Sequence, residues 1–154
     1  MLLAVVTCVP SMIHAQANAN QQVTNEIIAI VRAQWAAEIA DPANIAEQLK
    51  DMADDYTEFN GEYSTRLEGK PVMMKLLEPL GKDPNRTAAS EMLNPKVQVY
   101  GDVAILSYNF AGVSKNKDGE TKSYRAKSTR VYAKQNGKWK LVHANFAPDP
   151  LAKN

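Results

Sequence analysis

The residues in this chain best suited to chemistry are Arg130 and His143, each two positions from a small polar residue, Ser128 and Asn145. A guanidinium enclosed by protein can clamp a carboxylate through two parallel N–H bonds. An imidazole beside it can donate to the same ligand or act as a general base. Tyr56 and Glu58 alternate along an earlier strand-like run and can face the same way, which makes Glu58 the acid–base candidate. For an enzyme, the catalytic residues are Glu58 and His143, with Arg130 as an electrostatic clamp. For a binding module, Arg130, His143, Ser128 and Asn145 supply polar contacts to a ligand. Tyr56, Trp35 and Tyr108 then supply hydroxyl and aromatic contacts, with Tyr124 a further hydroxyl. A structural alternative uses the same residues: Arg130 paired with an acid such as Glu58, His143 a satisfied core residue, and Trp35 ordinary helix core.

Other chemistries lack the residues. His14 and Cys8 both lie in an apolar N-terminal stretch, so beyond it His143 is the sole histidine and there is no cysteine. A histidine or cysteine metal centre and a thiol nucleophile are therefore not expected, nor is any cofactor. Asp54 and Asp55 are adjacent on a strand and point to opposite faces, so they cannot share a proton. Lys and Arg total 18 against 17 for Asp and Glu, a net charge of +1 with no basic block. That gives no pull toward nucleic acid or an anionic membrane.

The element that must position Arg130 is a hairpin. Asn136-Gly137 separates two strand-like runs, Ser123 to Lys134 and Lys138 to Phe146. Both loop residues tolerate positive φ, the requirement of a two-residue hairpin turn. Counting back from this turn, Gln135 pairs with Lys138, Tyr132 with Leu141, Arg130 with His143 and Ser128 with Asn145. That register puts the polar cluster on one face. Val131, Val142, Thr129, Ala144 and Phe146 fall on the other, apolar face.

Upstream, Ile27, Ile28, Val31, Trp35 and Ile39 repeat at helical spacing, predicting a helix over Thr24 to Ala40. Asp41-Pro42 ends it and is expected to cap a short second helix carrying Ile45, Leu49 and Met52. A strand follows from Asp54 to Phe59. Gly69-Lys70-Pro71 opens a third helix that stops near Pro79 and Gly81, and Lys82 to Ser90 reads as a polar loop. Glu91 to Tyr100, with Pro95 implying an edge or a bulge, and Val103 to Val113 complete the β half. Met1 to Ala17 carries no Lys, Arg, Asp or Glu, and ends in the small-x-small pattern Ala15-Gln16-Ala17. This reads as a signal peptide, residues 1–17, cut after Ala17 or after Ala15, and implies a periplasmic or secreted protein free of the membrane after cleavage.

Helices followed by a long-stranded antiparallel sheet form an α+β cone. Met92-Leu93-Asn94-Pro95-Lys96-Val97, Gly101-Asp102-Val103-Ala104, Ser128-Thr129-Arg130-Val131-Tyr132 and the run Asn136 to His143, in this order and spacing, resemble the association (hub) domain of calcium/calmodulin-dependent protein kinase type II. That domain belongs to the nuclear transport factor 2-like superfamily, with SnoaL-like cyclases and ketosteroid isomerases. The resemblance spans residues 24–147, leaving 148–154 as a tail. It implies a cone-shaped fold, with N-terminal helices packed on a curved antiparallel sheet. It also implies self-association through the outer sheet face, as a homodimer or a higher ring, without kinase activity. Of the arginines that line the hub pocket, Arg130 alone is matched, and Phe110 stands where the hub carries another. The expected function is an exported, self-associating module that binds a small carboxylate or apolar ligand. The alternative is a small-molecule isomerase, cyclase or dehydratase.

Overall fold

The computed structural model describes residues 10–149, with side chains from residue 15 onward. The first helix, α1 (Pro10–Ala40), is a single run of 31 residues. Its buried stripe of Ile27, Val31 and Trp35 recurs every four residues, so one face turns to the sheet. The helix starts earlier than periodicity indicates, because the polar residues after Ala17 lack an apolar stripe yet contain no helix breaker. Of the expected leader, residues 1–9 lie outside the described residues and 10–17 form the first turns of α1.

The short α2 (Ile45–Gln48) is capped by Asn44, whose side chain accepts from the Glu47 N–H at 3.2 Å. Asp41, the expected cap, instead accepts from the Ala43 N–H at 3.2 Å. β1 (Met52–Asn60) and the two-residue β2 (Leu67–Glu68) lead into α3 (Lys70–Leu80), with a proline in its first turn and Pro79 and Gly81 at its end. Four long strands follow: β3 (Arg86–Tyr100), β4 (Val103–Lys115), β5 (Thr121–Gln135) and β6 (Lys138–Pro148). The segment read as a loop up to Ser90 becomes strand from Arg86, because β4 extends to Lys115 and pairs with it from Arg86 onward. The irregularity expected at Pro95 is present between Leu93 and Lys96, with Asn94 at φ +50°. Pro148 closes β6 rather than opening a tail, and residues 150–154 lie outside the described residues.

The six strands form one sheet in the order β2-β1-β6-β5-β4-β3. The sheet is antiparallel as expected except in one pair, β1 and β6, which run parallel. Hairpin turns force antiparallel pairing only between strands joined directly. β1 and β6 are joined through α3 and the whole β3–β5 meander, so either direction was open.

The Asn136-Gly137 turn forms as read, with φ +50° and +78°, and the pairs from Gln135–Lys138 to Tyr132–Leu141 follow. The register then slips. Val131 pairs with His143, so Val142 is an extra residue in β6. β1 is also irregular here, its pairing with β6 passing from Met52–Leu141 to Thr57–His143. Bulges of this kind bend a strand and raise its twist. Beyond it, Arg130 lies opposite Ala144, and Ser128 opposite Phe146. The core is built from the concave face: Leu106, Tyr132, Leu141 and Ala144 meet Ile27, Val31 and Trp35 of α1.

Candidate functional site

Alternation along β5 delivers Ser128, Arg130 and Tyr132 to the concave face, all at 5 % exposure or less. The neighbouring strands add Tyr108 and Phe110 from β4, Phe146 from β6, and Tyr56 and Glu58 from β1. Facing them, α1 contributes Gln34, Trp35 and Glu38, which follow Ile27 and Val31 along the buried stripe.

Arg130 is the centre of this arrangement. One Nη donates to Gln34 Oε1 at 2.7 Å. Its guanidinium carbon lies 5.9 Å from the Tyr108 ring centroid and 5.5 Å from that of Phe146. Its Nε has no hydrogen-bond partner, and among the described residues no carboxylate lies within 4.0 Å of its nitrogens. Burial opposes the charge, but the surrounding Tyr108, Tyr132 and Tyr56 outweigh it and hold the guanidinium above its ordinary pKa. The result is a permanent cation, buried and held by a neutral amide. An enclosed charge without a counter-charge costs several kcal/mol, so a bound anion would be strongly favoured here.

Glu58 is buried at 4 % exposure and does not pair with Arg130. It accepts from the Tyr56 hydroxyl at 2.6 Å and from Asn60 Nδ2 at 3.0 Å. Burial, then the charge of Glu58 and its hydrogen bond, push the Tyr56 hydroxyl well above the usual tyrosine range. Tyr56 therefore stays a hydrogen-bond donor at neutral pH.

Two cavities meet at Arg130 and Phe146. One, of about 400 Å³, runs under α2 and α3 and is walled by Leu49, Met73 and Leu77, with Tyr56, Glu58 and Gln34 on its polar side. The other, of about 620 Å³, is walled by Trp35, Tyr108, Phe110 and Tyr124. Its rings form a chain, Trp35 to Tyr108 at 5.9 Å, Trp35 to Phe110 at 5.3 Å and Phe110 to Tyr124 at 5.5 Å.

The Val142 bulge separates residues that the sequence grouped. His143 and Asn145 sit on the outer face, not beside Arg130 and Ser128. His143 Nδ1 and Thr57 Oγ1 share a hydrogen bond at 2.8 Å, and its ring meets Phe59 edge-on at 6.2 Å. The reverse correction applies to Ala144 and Phe146, expected on one apolar face with Val131 and lying instead on the concave face, opposite to Val131. Tyr56, Glu58, Trp35, Tyr108, Ser128 and Arg130 do converge on the cone. The structural alternative of an Arg130–Glu58 pair is also replaced, since Gln34 holds the guanidinium. Gln34 and Phe146 are the residues sequence reasoning missed. A readable signal exists for Gln34: a polar residue at helical spacing from Ile27, Ile30 and Val31, on the stripe that carries them. Among the described residues no cluster of His, Cys, Asp and Glu could hold a metal ion, and no helix is long and apolar enough to cross a membrane.

The family model described as calcium/calmodulin dependent protein kinase II association domain matches residues 23–150. No curated protein matches the chain in sequence. Among solved structures, the association domain of Caenorhabditis elegans calcium/calmodulin dependent protein kinase II is similar with a TM-score of 0.70 at 20% identity, covering 84% of this chain and 98% of that one. The S. rosetta hub of the same kinase gives 0.65 at 20% identity over 81% and 95%. A nuclear transport factor 2-like protein from Pseudomonas putida KT2440 gives 0.67 at 19% identity over 86% and 93%. At these identities the structural likeness establishes the fold, a helix-backed cone of the nuclear transport factor 2-like kind.

Proposed function

The chain belongs to the calcium/calmodulin dependent protein kinase II association domain family, and on that premise we propose that it is an exported, self-associating module holding a small carboxylate or apolar ligand in its cone. One observation carries this reading: the two faces of the sheet are furnished for different tasks. The concave face encloses a guanidinium that has no counter-charge among the described residues, beside two cavities. The outer face carries Ile105, Ser107, Val131 and His143, which are half-buried and lie outside the core packed against the helices. Small and β-branched residues make that face flat enough for a second copy of the same sheet. Export is supported by the uncharged stretch from Met1 to Ala17 and its Ala-x-Ala end.

The test is the solution mass of the purified protein lacking residues 1–17, measured at micromolar concentration by light scattering. A dimer or a larger ring is expected, and a strict monomer overturns the self-association reading. For the ligand, Arg130→Gln is expected to abolish binding of simple carboxylates.

Glu58 favours a second reading, because a buried carboxylate facing a cavity is the equipment of an acid–base catalyst. In that case Glu58 moves a proton and Arg130 stabilises the developing anion of an isomerase, cyclase or dehydratase reaction. His143 has no part in it, being on the other face. Glu58→Gln would then lower turnover by roughly 100-fold or more on a substrate panel of enolisable ketones. Equal rates in the two proteins would remove this reading.

A further inference from the structure

We propose that association through the outer face is gated by a proton on His143: the neutral imidazole admits a second copy of the sheet, and the imidazolium excludes it. This rests on the reading of that face as the self-association surface and deepens it by naming its control.

Strand pairing places His143 in a straight row that crosses all six strands: Gln98, Ile105, Val131, His143, Thr57 and Glu68. Residues directly opposite each other in a ladder share a face of the sheet. The four inner residues of the row are half-buried and uncharged apart from the histidine, while Gln98 and Glu68 at its ends are exposed. The next row on this face repeats the plan, with Ser107, Thr129, Asn145 and Phe59 inside and Lys96 at the end. Inside these two rows His143 is the sole titratable side chain.

Its place on the face is fixed. Nδ1 shares a hydrogen bond with Thr57 Oγ1 at 2.8 Å, and the ring meets Phe59 edge-on. Among the described residues it makes no ion pair. The charges on the surrounding elements are engaged or stand off the row. Glu68 of β2 accepts from Arg66 Nε at 3.0 Å. Lys140 of β6 donates to the Lys50 carbonyl at 2.7 Å and lies 3.8 Å from Asp51. Asp55 of β1 is exposed two positions before Thr57, and Lys127 of β5 is exposed four positions before Val131. Carboxylates ordinarily titrate at about 4, lysines at about 10 and imidazoles at about 6.5, so a histidine is the residue that changes charge between those limits.

The occupant of the face is a second copy of this chain. The family is that of an association domain, and a surface without fixed charge at its centre complements itself. A two-fold contact of this kind is isologous, so it encloses two imidazoles at once. Each must shed its proton, because a cation enclosed between uncharged rows loses its water and gains no counter-charge. The assembled form thus binds fewer protons than the separate copies, and association weakens as pH falls.

The test is sedimentation equilibrium of the purified full chain at about pH 8 and about pH 5.5, with circular dichroism at each to follow the fold. Kd is expected to rise by roughly 100-fold on acidification, about 10-fold for each enclosed imidazole. His143→Gln and His143→Asn, both neutral, should associate at both pH values with a change below about 3-fold. His143→Lys, a fixed cation, should associate weakly at both. His14 is present in every one of these proteins and cancels in the comparison. Equal association of the native protein at the two pH values, or a pH dependence that survives in both neutral variants, overturns the gate and leaves the self-association surface standing. Loss of the fold at the lower pH places the effect in stability and overturns the gate as well. A native protein that is monomeric at both pH values overturns the self-association reading and the gate with it.

Discussion

The concave and outer faces of the sheet are made from alternate residues of the same strands, yet they obey different rules. On the concave face Tyr56, Leu106, Tyr132 and Ala144 are at most 1 % exposed, and Glu58 and Arg130 are enclosed with them. On the outer face Ile105, Ser107, Val131 and His143 are half-buried, while Thr129 and Asn145 are exposed. The concave face is filled with large side chains against α1 and carries the charged chemistry. The outer face is small, flat and uncharged at its centre. The packing that stabilises the fold therefore lies at even positions of β5, and the proposed function divides along the same line, with the ligand at even positions and the partner at odd ones.

The largest effect that could break this division is in the core. Leu106→Ala should cost about 2–5 kcal/mol of folding stability in urea, the range for a buried leucine, without altering the assembly state of the protein that remains folded. Val131→Ala should cost far less, and a comparable loss would mean that the outer face is core as well. Next in size, Val131→Glu should leave the fold intact and weaken association by about 2 kcal/mol or more, roughly 30-fold in Kd by sedimentation. Unchanged association would move the interface elsewhere.

The smallest effect sharpens the concave side alone. Burial raises the pKa of Tyr56 and of Tyr132 in the folded protein. The folded state thus keeps protons that the unfolded chain gives up above the ordinary tyrosine value of about 10. Stability is fully present below that pH and falls as pH rises through it, by roughly 1.4 kcal/mol per pH unit for each tyrosine. Tyr56→Phe should make that slope shallower in urea midpoints taken from pH 8 to pH 11, with Tyr132 and the less buried Tyr124 supplying what remains. An unchanged slope would show that the Tyr56 hydroxyl is not sealed in the cone.

Local signals were readable and non-local ones were not. Asn136-Gly137 announces its turn and fixes the first pairs, because two-residue loops allow few conformations. The helical stripe of α1, the capping sequence of α3 and the irregularity at Pro95 are likewise written in adjacent residues. The parallel β1–β6 pair is not, since it depends on a contact across most of the chain. Nor is the bulge, because Val142 stands between Leu141 and His143 with no glycine or asparagine to mark it. As a result Arg130, Ser128, Tyr56, Glu58, Trp35 and Tyr108 were correctly drawn to the cone, whereas His143 and Asn145 were carried there by a count that was one residue short. Gln34 is harder to read because polar residues on helices are usually solvated, although its spacing from Ile27 and Val31 places it on the face turned to the sheet.

Val142 sets the parity of β6. Each position beyond it owes its face to whether the number of residues back to the turn is odd or even, and one insertion or deletion reverses that assignment for the rest of the strand. Removing Val142 would deliver His143 and Asn145 into the cone and turn Ala144 and Phe146 outward, exchanging the chemistry of two surfaces with no residue type altered. Two related sequences that differ by a single gap at this point can thus present opposite faces to a ligand while remaining nearly identical letter for letter.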